Sequence, residues 1–344
     1  MKSPRQMITL LLAATVFLFT QCGSDDPAAV KPQNVYVAGS FNTGTTVVPA
    51  YWKNGELVKL SELSGEAAAI AVKGDDVYVI GNLNDENPLG KKLWKNGEVT
   101  DFTDGSTSVY IYALRIVGDD LYAAGMVSTP DGQGHLATYW KNGVAHTVAP
   151  ETNSRAYDIT VVGNDVYVAG LQYNEDNKGV AKYWKNDVGT ELSDGTAHAD
   201  ASGIAVVNND VYVSGSDNDR LTLWKNGVAT LLGGAQYASG TSTGGLVIHD
   251  NNVYVVGYES NGTDYKAKYW KNGTAFTLPT PAAATKSVFG YSAAVAGNDI
   301  YFLGEFTAST STNTNPGIVW KNFKMMAPYD GTSVSPAYFI AIAP

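Results

Sequence analysis

Beyond about residue 33 the chain is a succession of short apolar runs, each closed by a polar pair and followed by another apolar run. Ile70-Ala71-Val72 precedes Lys73-Gly74-Asp75-Asp76 and then Val77-Tyr78-Val79-Ile80-Gly81, and Ile159-Thr160-Val161-Val162 precedes Gly163-Asn164-Asp165 and then Val166-Tyr167-Val168-Ala169-Gly170. Runs this short, rich in Val, Ile and Tyr and broken by Gly, Asn and Asp, predict β-strands joined by hairpin turns.

The pattern is periodic. The second apolar phrase occurs seven times, as Val35–Gly39, Val77–Gly81, Leu121–Gly125, Val166–Gly170, Val211–Gly215, Val253–Gly257 and Ile300–Gly304. Interleaved with it is a Trp-Lys-Asn phrase built on Trp52, Trp94, Trp140, Trp184, Trp224, Trp270 and Trp320, which are all the tryptophans of the chain. Their spacings run from 40 to 50 residues, the length of a four-stranded propeller blade. In five copies the phrase ends in Asn-Gly, the strongest short hairpin signal, because a type I′ turn needs positive φ at both central residues. Asp187 and Phe323 stand in place of the glycine in the other two, and the turn at Phe323 is expected to differ.

Each repeat parses as an inner strand, a second strand, a variable loop, a third strand ending at Trp-Lys, and a fourth strand after the Asn turn. The chain ends decide the closure. Tyr338–Pro344 aligns with Ala68–Gly74, and Gln33-Asn34-Val35 with Asp75-Asp76-Val77. The first blade is thus assembled from both termini. The predicted fold is all-β: a seven-bladed β-propeller of four-stranded antiparallel blades over residues 33–344, its ring closed by the C-terminal strand joining the first blade, leaving no open array that would need caps.

The N-terminus has a different composition. Lys2 and Arg5 precede an apolar stretch, Met7–Phe19, too short to span a bilayer comfortably, as in a secretory signal. Residues 1–21 are expected to be that signal and 22–32 a tether. The only cysteine, Cys22, excludes an intrachain disulfide. The formal net charge is −10, and −12 without Lys2 and Arg5, so nucleic acid and anionic membrane surfaces are poor general partners.

Because the strands alternate in direction, the tight turns share one face and the long connections the other. The tight-turn face carries lysines (Lys53, Lys95, Lys141, Lys185, Lys225, Lys271, Lys321) and acids including Asp76, Asp120, Asp165, Asp210 and Asp299, close enough to offset one another. The opposite face holds the variation and is where binding residues are expected. Six residues before each inner hairpin turn stand Ala68, Tyr112, Tyr157, Ser202, Gly244, Tyr291 and Tyr338. These four tyrosines lie near the mouth of the central channel, either as ligand contacts or as packing between blades. Asp158 and Arg115 interrupt small apolar positions on the same strands; a charge there needs a partner, in a ligand or across neighbouring blades. His135, His146, His198 and His249 form no metal-ligand spacing. No nucleophile elbow, phosphate loop or dinucleotide fingerprint is present. No metal and no cofactor is therefore expected.

Phe19-Thr20-Gln21-Cys22 resembles a bacterial lipobox, and Gly23-Ser24-Asp25-Asp26 is similar to the Ser/Asp-rich export signal of Bacteroidota-type surface lipoproteins. Over 33–344 the chain resembles secreted and surface lipoproteins of bacteria that carry Trp-Lys-Asn-Gly propeller repeats. The resemblance implies an acyl anchor on Cys22, attachment to the outer membrane through that anchor alone, and display at the cell surface. The expected function is a monomeric binding module that recognises a glycan or an envelope protein through the variable face. The alternatives are a polysaccharide hydrolase or lyase with acids from several loops, or a structural subunit of an envelope complex.

Overall fold

The computed structural model describes residues 33–87, 89–149, 153–233, 245–260, 262–282, 284–308, 316–326 and 339–343. Cys22, Gly244 and Tyr338 lie outside the described residues, as does most of the loop between Phe306 and Pro316. The described strands form seven four-stranded antiparallel sheets. Blade 1 is closed by the C-terminal strand Phe339–Ala343, which pairs with Asn34–Asn42 in the register Val35↔Ile342 and Val37↔Ile340. The innermost strands of blades 2 to 7 are Gly65–Lys73, Val109–Val117, Ser154–Val162, Ala199–Val207, Leu246–His249 and Ala284–Ala296. With Phe339–Ala343 they touch one another in sequence around a closed ring. The order follows from the hairpins: within a blade each strand pairs with the next in the chain, and in blade 1 the inner strand comes from the other end of the chain.

The Trp-Lys-Asn phrase is a device for locking each blade. Its tryptophan is buried in every repeat and packs with apolar side chains of an adjacent blade, as Trp94 does with Ile111 and Leu114. The asparagine clips two hairpins together. Asn96 Oδ1 accepts the Val77 N–H at 2.8 Å, and its Nδ2 donates to Asp76 at 2.7 Å. The same pair of bonds is made by Asn54, Asn142, Asn186, Asn226, Asn272 and Asn322. The asparagine φ is 48–53° throughout, left-handed backbone that Asn tolerates better than most residues.

The turn at Phe323 does not differ. Asn322 and Phe323 have φ of 48° and 66°, the same handedness as Asn54-Gly55. The phenyl ring stacks on Tyr269 at 4.4 Å and lies 6.0 Å from both Tyr254 and Phe302, so aromatic contact offsets the unfavourable backbone.

The lysine ring is largely neutralised. Lys95, Lys141, Lys185, Lys225 and Lys321 pair with Asp76, Asp120, Asp165, Asp210 and Asp299 at 2.7–3.1 Å. All seven lysines also lie over the tyrosine or its equivalent in the neighbouring strand, at 5.2–5.5 Å. The lysine and asparagine hydrogen bonds hold Asp120, Asp165, Asp210 and Asp299 below the usual carboxylate range. Their contribution to stability is present above that range and is lost as pH falls.

In five of the blades the glycine ending the second-strand phrase answers to a bulge in the partner strand. A Cβ on Gly81, Gly125, Gly170, Gly215 or Gly304 would lie 1.8–2.0 Å from the opposite carbonyl oxygen. Gly170→Ala is therefore expected to cost about 1–3 kcal/mol or more. Urea unfolding of the variant and of wild type, compared at equal slope, checks the loss.

Candidate functional site

Five of the described inner strands carry a register shift at the position occupied by the tyrosines. The bulge lies between Ala67 and Ala69, Ile111 and Ala113, Ala156 and Asp158, Ala201 and Gly203, and Gly290 and Ser292. The extra residues are Ala68, Tyr112, Tyr157, Ser202 and Tyr291. A bulge leaves its extra residue out of the ladder and re-aims the side chain. It lies toward the end of the inner strand remote from the tight turn, which is the end the long connections share.

Tyr112 and Tyr157, on blades 3 and 4, come together with ring centroids 5.3 Å apart and planes at 60°. Burial pushes the Tyr112 hydroxyl up, and burial followed by the charge of Asp200 pushes up that of Tyr157. Tyr291 belongs to a separate cluster in blades 6 and 7. Its hydroxyl donates to Glu305 at 2.8 Å, and its ring stacks on Phe289 at 6.1 Å and meets Tyr258 edge-on at 6.4 Å. Two aromatic groups therefore flank the blade 5 position held by Ser202.

Asp158 bridges three blades. Its Oδ1 receives Arg115 from blade 3 at 2.9 Å and its Oδ2 accepts the Ile204 N–H from blade 5 at 3.1 Å. The residue is 1% exposed and both oxygens are engaged, so the partner its charge requires is supplied across neighbouring blades. Burial raises its pKa and Arg115 opposes that rise.

Sequence reasoning did not single out the residue two before the bulge, although it varies as much: Glu66, Tyr110, Arg155, Asp200 and Phe289. Arg155 lies over the Tyr173 ring at 5.7 Å. Asp200 accepts from Ser216 Oγ at 2.7 Å, while its Oδ1 is buried without a partner. His135 and His198, unrelated in repeat position, both reach this end of the sheets. His135 meets Tyr110 and His198 meets Tyr173. The signal that would have found Arg155 and Asp200 was the break in an otherwise small and apolar strand, the same signal that drew attention to Asp158.

Asp200 and Glu305 are 3% and 5% exposed, and both act on the Tyr258 hydroxyl, pushed up to about 12 mainly by burial. A glycosidase acid pair must reach its substrate, and these two are enclosed. Clefts also occur on the tight-turn face. One of about 410 Å³ between blades 3 and 4 is lined by Asp120, Tyr122, Tyr139, Lys141, His146 and Asn164 among others. Its Lys141, Asp120 and Tyr122 are repeat residues that already satisfy one another.

No family model and no curated protein matches the chain. Among solved structures it is similar to a puromycin-hydrolysing peptidase of Mycobacterium tuberculosis, with TM-score 0.51 and 9% identity over 87% of this chain. The chain spans about half, 54%, of that peptidase. It is similar to the same degree, TM-score 0.51 and 10% identity over 87% of this chain and 93% of the other, to the β-propeller domain of the trilobed protease from Pyrococcus furiosus. That domain is described as having an open velcro topology, whereas here the terminal strands pair. At such identities the likeness concerns the propeller fold alone.

Proposed function

We propose that the propeller is a glycan-recognition module which meets its ligand at the long-connection end of the inner strands, around Tyr112 and Tyr157, and is carried at the cell surface by an acyl anchor on Cys22. The observation that carries the reading is the contrast between the two ends of each blade. At the tight-turn end the polar groups of the repeat bond to one another in the same way from blade to blade. At the other end, a recurring backbone bulge presents tyrosine in three blades, alanine in one and serine in one, and the residue two before it differs in all five. Paired aromatic rings beside a few polar groups suit a sugar, whose C–H face packs on a ring while its hydroxyls bond at the edge. The dissimilar loops favour one site over seven equivalent ones.

The test is a glycan array probed with the full chain and with a Tyr112→Ala, Tyr157→Ala double variant. Losing two ring contacts of about 0.5–1.5 kcal/mol each is expected to weaken binding about tenfold, with the melting transition retained. Equal binding by the variant would move the site elsewhere. Retention of no glycan by the wild type would turn the reading toward an envelope protein as partner.

A further inference from the structure

The rim of blades 2 to 5 at the long-connection end carries a band of basic and aromatic groups that the repeat does not account for. Lys91 Nζ lies 5.7 Å over the Tyr110 ring, and Tyr110 meets His135 edge-on at 5.8 Å. Arg155 comes next and is near enough to His135 to lower its pKa, second to burial. The Arg155 guanidinium stands 5.7 Å over Tyr173, whose ring lies 6.2 Å from His198. The order cation, tyrosine, histidine thus occurs twice along the rim, from strands of four different blades.

Neither cation is spent on an acid. Among the described residues Lys91 and Arg155 make no ion pair, whereas the adjacent Lys92 is held by Asp85 and Asp101, and Arg115 by Asp158. Glu66 is the acid that acts on Lys91, and only at a distance. The Arg155 guanidinium is engaged by the Tyr157 hydroxyl, but among the described residues its buried Nε has no hydrogen-bond partner, a cost that a native structure ordinarily avoids. His198 Nδ1 accepts the Gly179 N–H at 3.1 Å, which leaves the proton on Nε2 as a donor. All this stands in a protein whose net charge is −10.

We infer that this band is the track for an acidic oligosaccharide, with sugar carboxylates met by Arg155, Lys91 and the His198 Nε2–H, and sugar rings resting on Tyr110, Tyr112 and Tyr173. The inference rests on the glycan reading above and adds to it the sign of the ligand's charge and its course along the rim. Guanidinium suits the task because its planar fork matches a carboxylate with two parallel bonds. The competing site for a polyanion is the lysine ring of the opposite face. Five of those seven lysines pair with Asp, and the two opposite Asn34 and Asn252, Lys53 and Lys271, lie on blades 1 and 6.

The experiment measures binding of oligogalacturonate and of a malto-oligosaccharide of equal length to the full chain, at low and high salt. Oligogalacturonate is expected to bind, to weaken about tenfold or more in high salt, and to weaken about tenfold with Arg155→Gln while the melting temperature stays unchanged. Arg155→Lys should recover part of the affinity, since it restores charge without the fork. Lys53→Gln with Lys271→Gln should change nothing. Binding of the neutral sugar alone overturns the inference and leaves the glycan reading standing. If neither probe binds, both fall. Loss of binding in the Lys53 and Lys271 variant with none in Arg155→Gln would place the track on the wrong face and overturn it.

Discussion

A chain shortened by its last six residues, Phe339–Pro344, is expected to lose its single cooperative unfolding transition and to associate in solution. The deleted strand is the inner strand of blade 1. Its absence removes the ladder along Asn34–Ala38 and leaves one edge of that strand bare next to the channel. It also uncovers the surfaces against which Phe339 and Ile340 are buried. Each such side chain is worth about 1.5–3 kcal/mol. Together with the broken ladder this is comparable to the whole stability of an ordinary domain, about 5–15 kcal/mol. Calorimetry and size-exclusion chromatography check the result. A melting temperature within a degree or two of wild type would show that the ring does not depend on its closure.

The second large effect is expected from Arg115→Met. Removing one partner of a fully buried pair costs about 3–5 kcal/mol. Asp158 is enclosed but the Arg115 side chain is 38% exposed, so solvent screening places the expected cost at or below the low end of that range. Here Asp158 would keep the backbone N–H groups of Ile204 and Ile159 and no charged partner. The sign of the pH dependence follows from the direction of its pKa. Burial raises it above the unfolded value, and Arg115 alone among charged groups pulls it back. In the variant the native state therefore binds its proton more tightly than the unfolded chain does. The penalty is smallest below the ordinary carboxylate range and grows as pH rises through the raised value. Denaturant midpoints of Arg115→Met and wild type should thus converge on mild acidification and separate at neutral pH. Pairing the change with Asp158→Leu should recover much of the loss, because no charge is then left in the core. A constant difference across pH would mean that Arg115 acts through packing alone.

The sequence by itself determined the strands, their order and the closure of the ring, because all three rest on local rules. Asn at positive φ, one tryptophan per repeat and strand-length apolar runs each act within a few residues. A phrase that recurs seven times repeats whatever geometry it encodes. The pairing of Val35 with Ile342 could be read from the alignment of the two chain ends for the same reason. Local rules failed at Phe323, where the penalty for positive φ is offset by the rings of Tyr254 and Tyr269 from two strands of the neighbouring blade and of Phe302 from its own. They also hid the cause of the tyrosine position. Only strand pairing shows that Tyr112, Tyr157 and Tyr291 are bulge residues, and that Gly125, Gly170 and Gly304 give room to the carbonyls of Tyr110, Arg155 and Phe289, two residues before the bulge. Tertiary structure alone brought Lys91, His135, Arg155 and His198 to one rim. These residues occupy unrelated places in the repeat and are neighbours only because blades stack around an axis. What one blade does to itself is written in its own forty-odd residues, and what two blades do to each other is not.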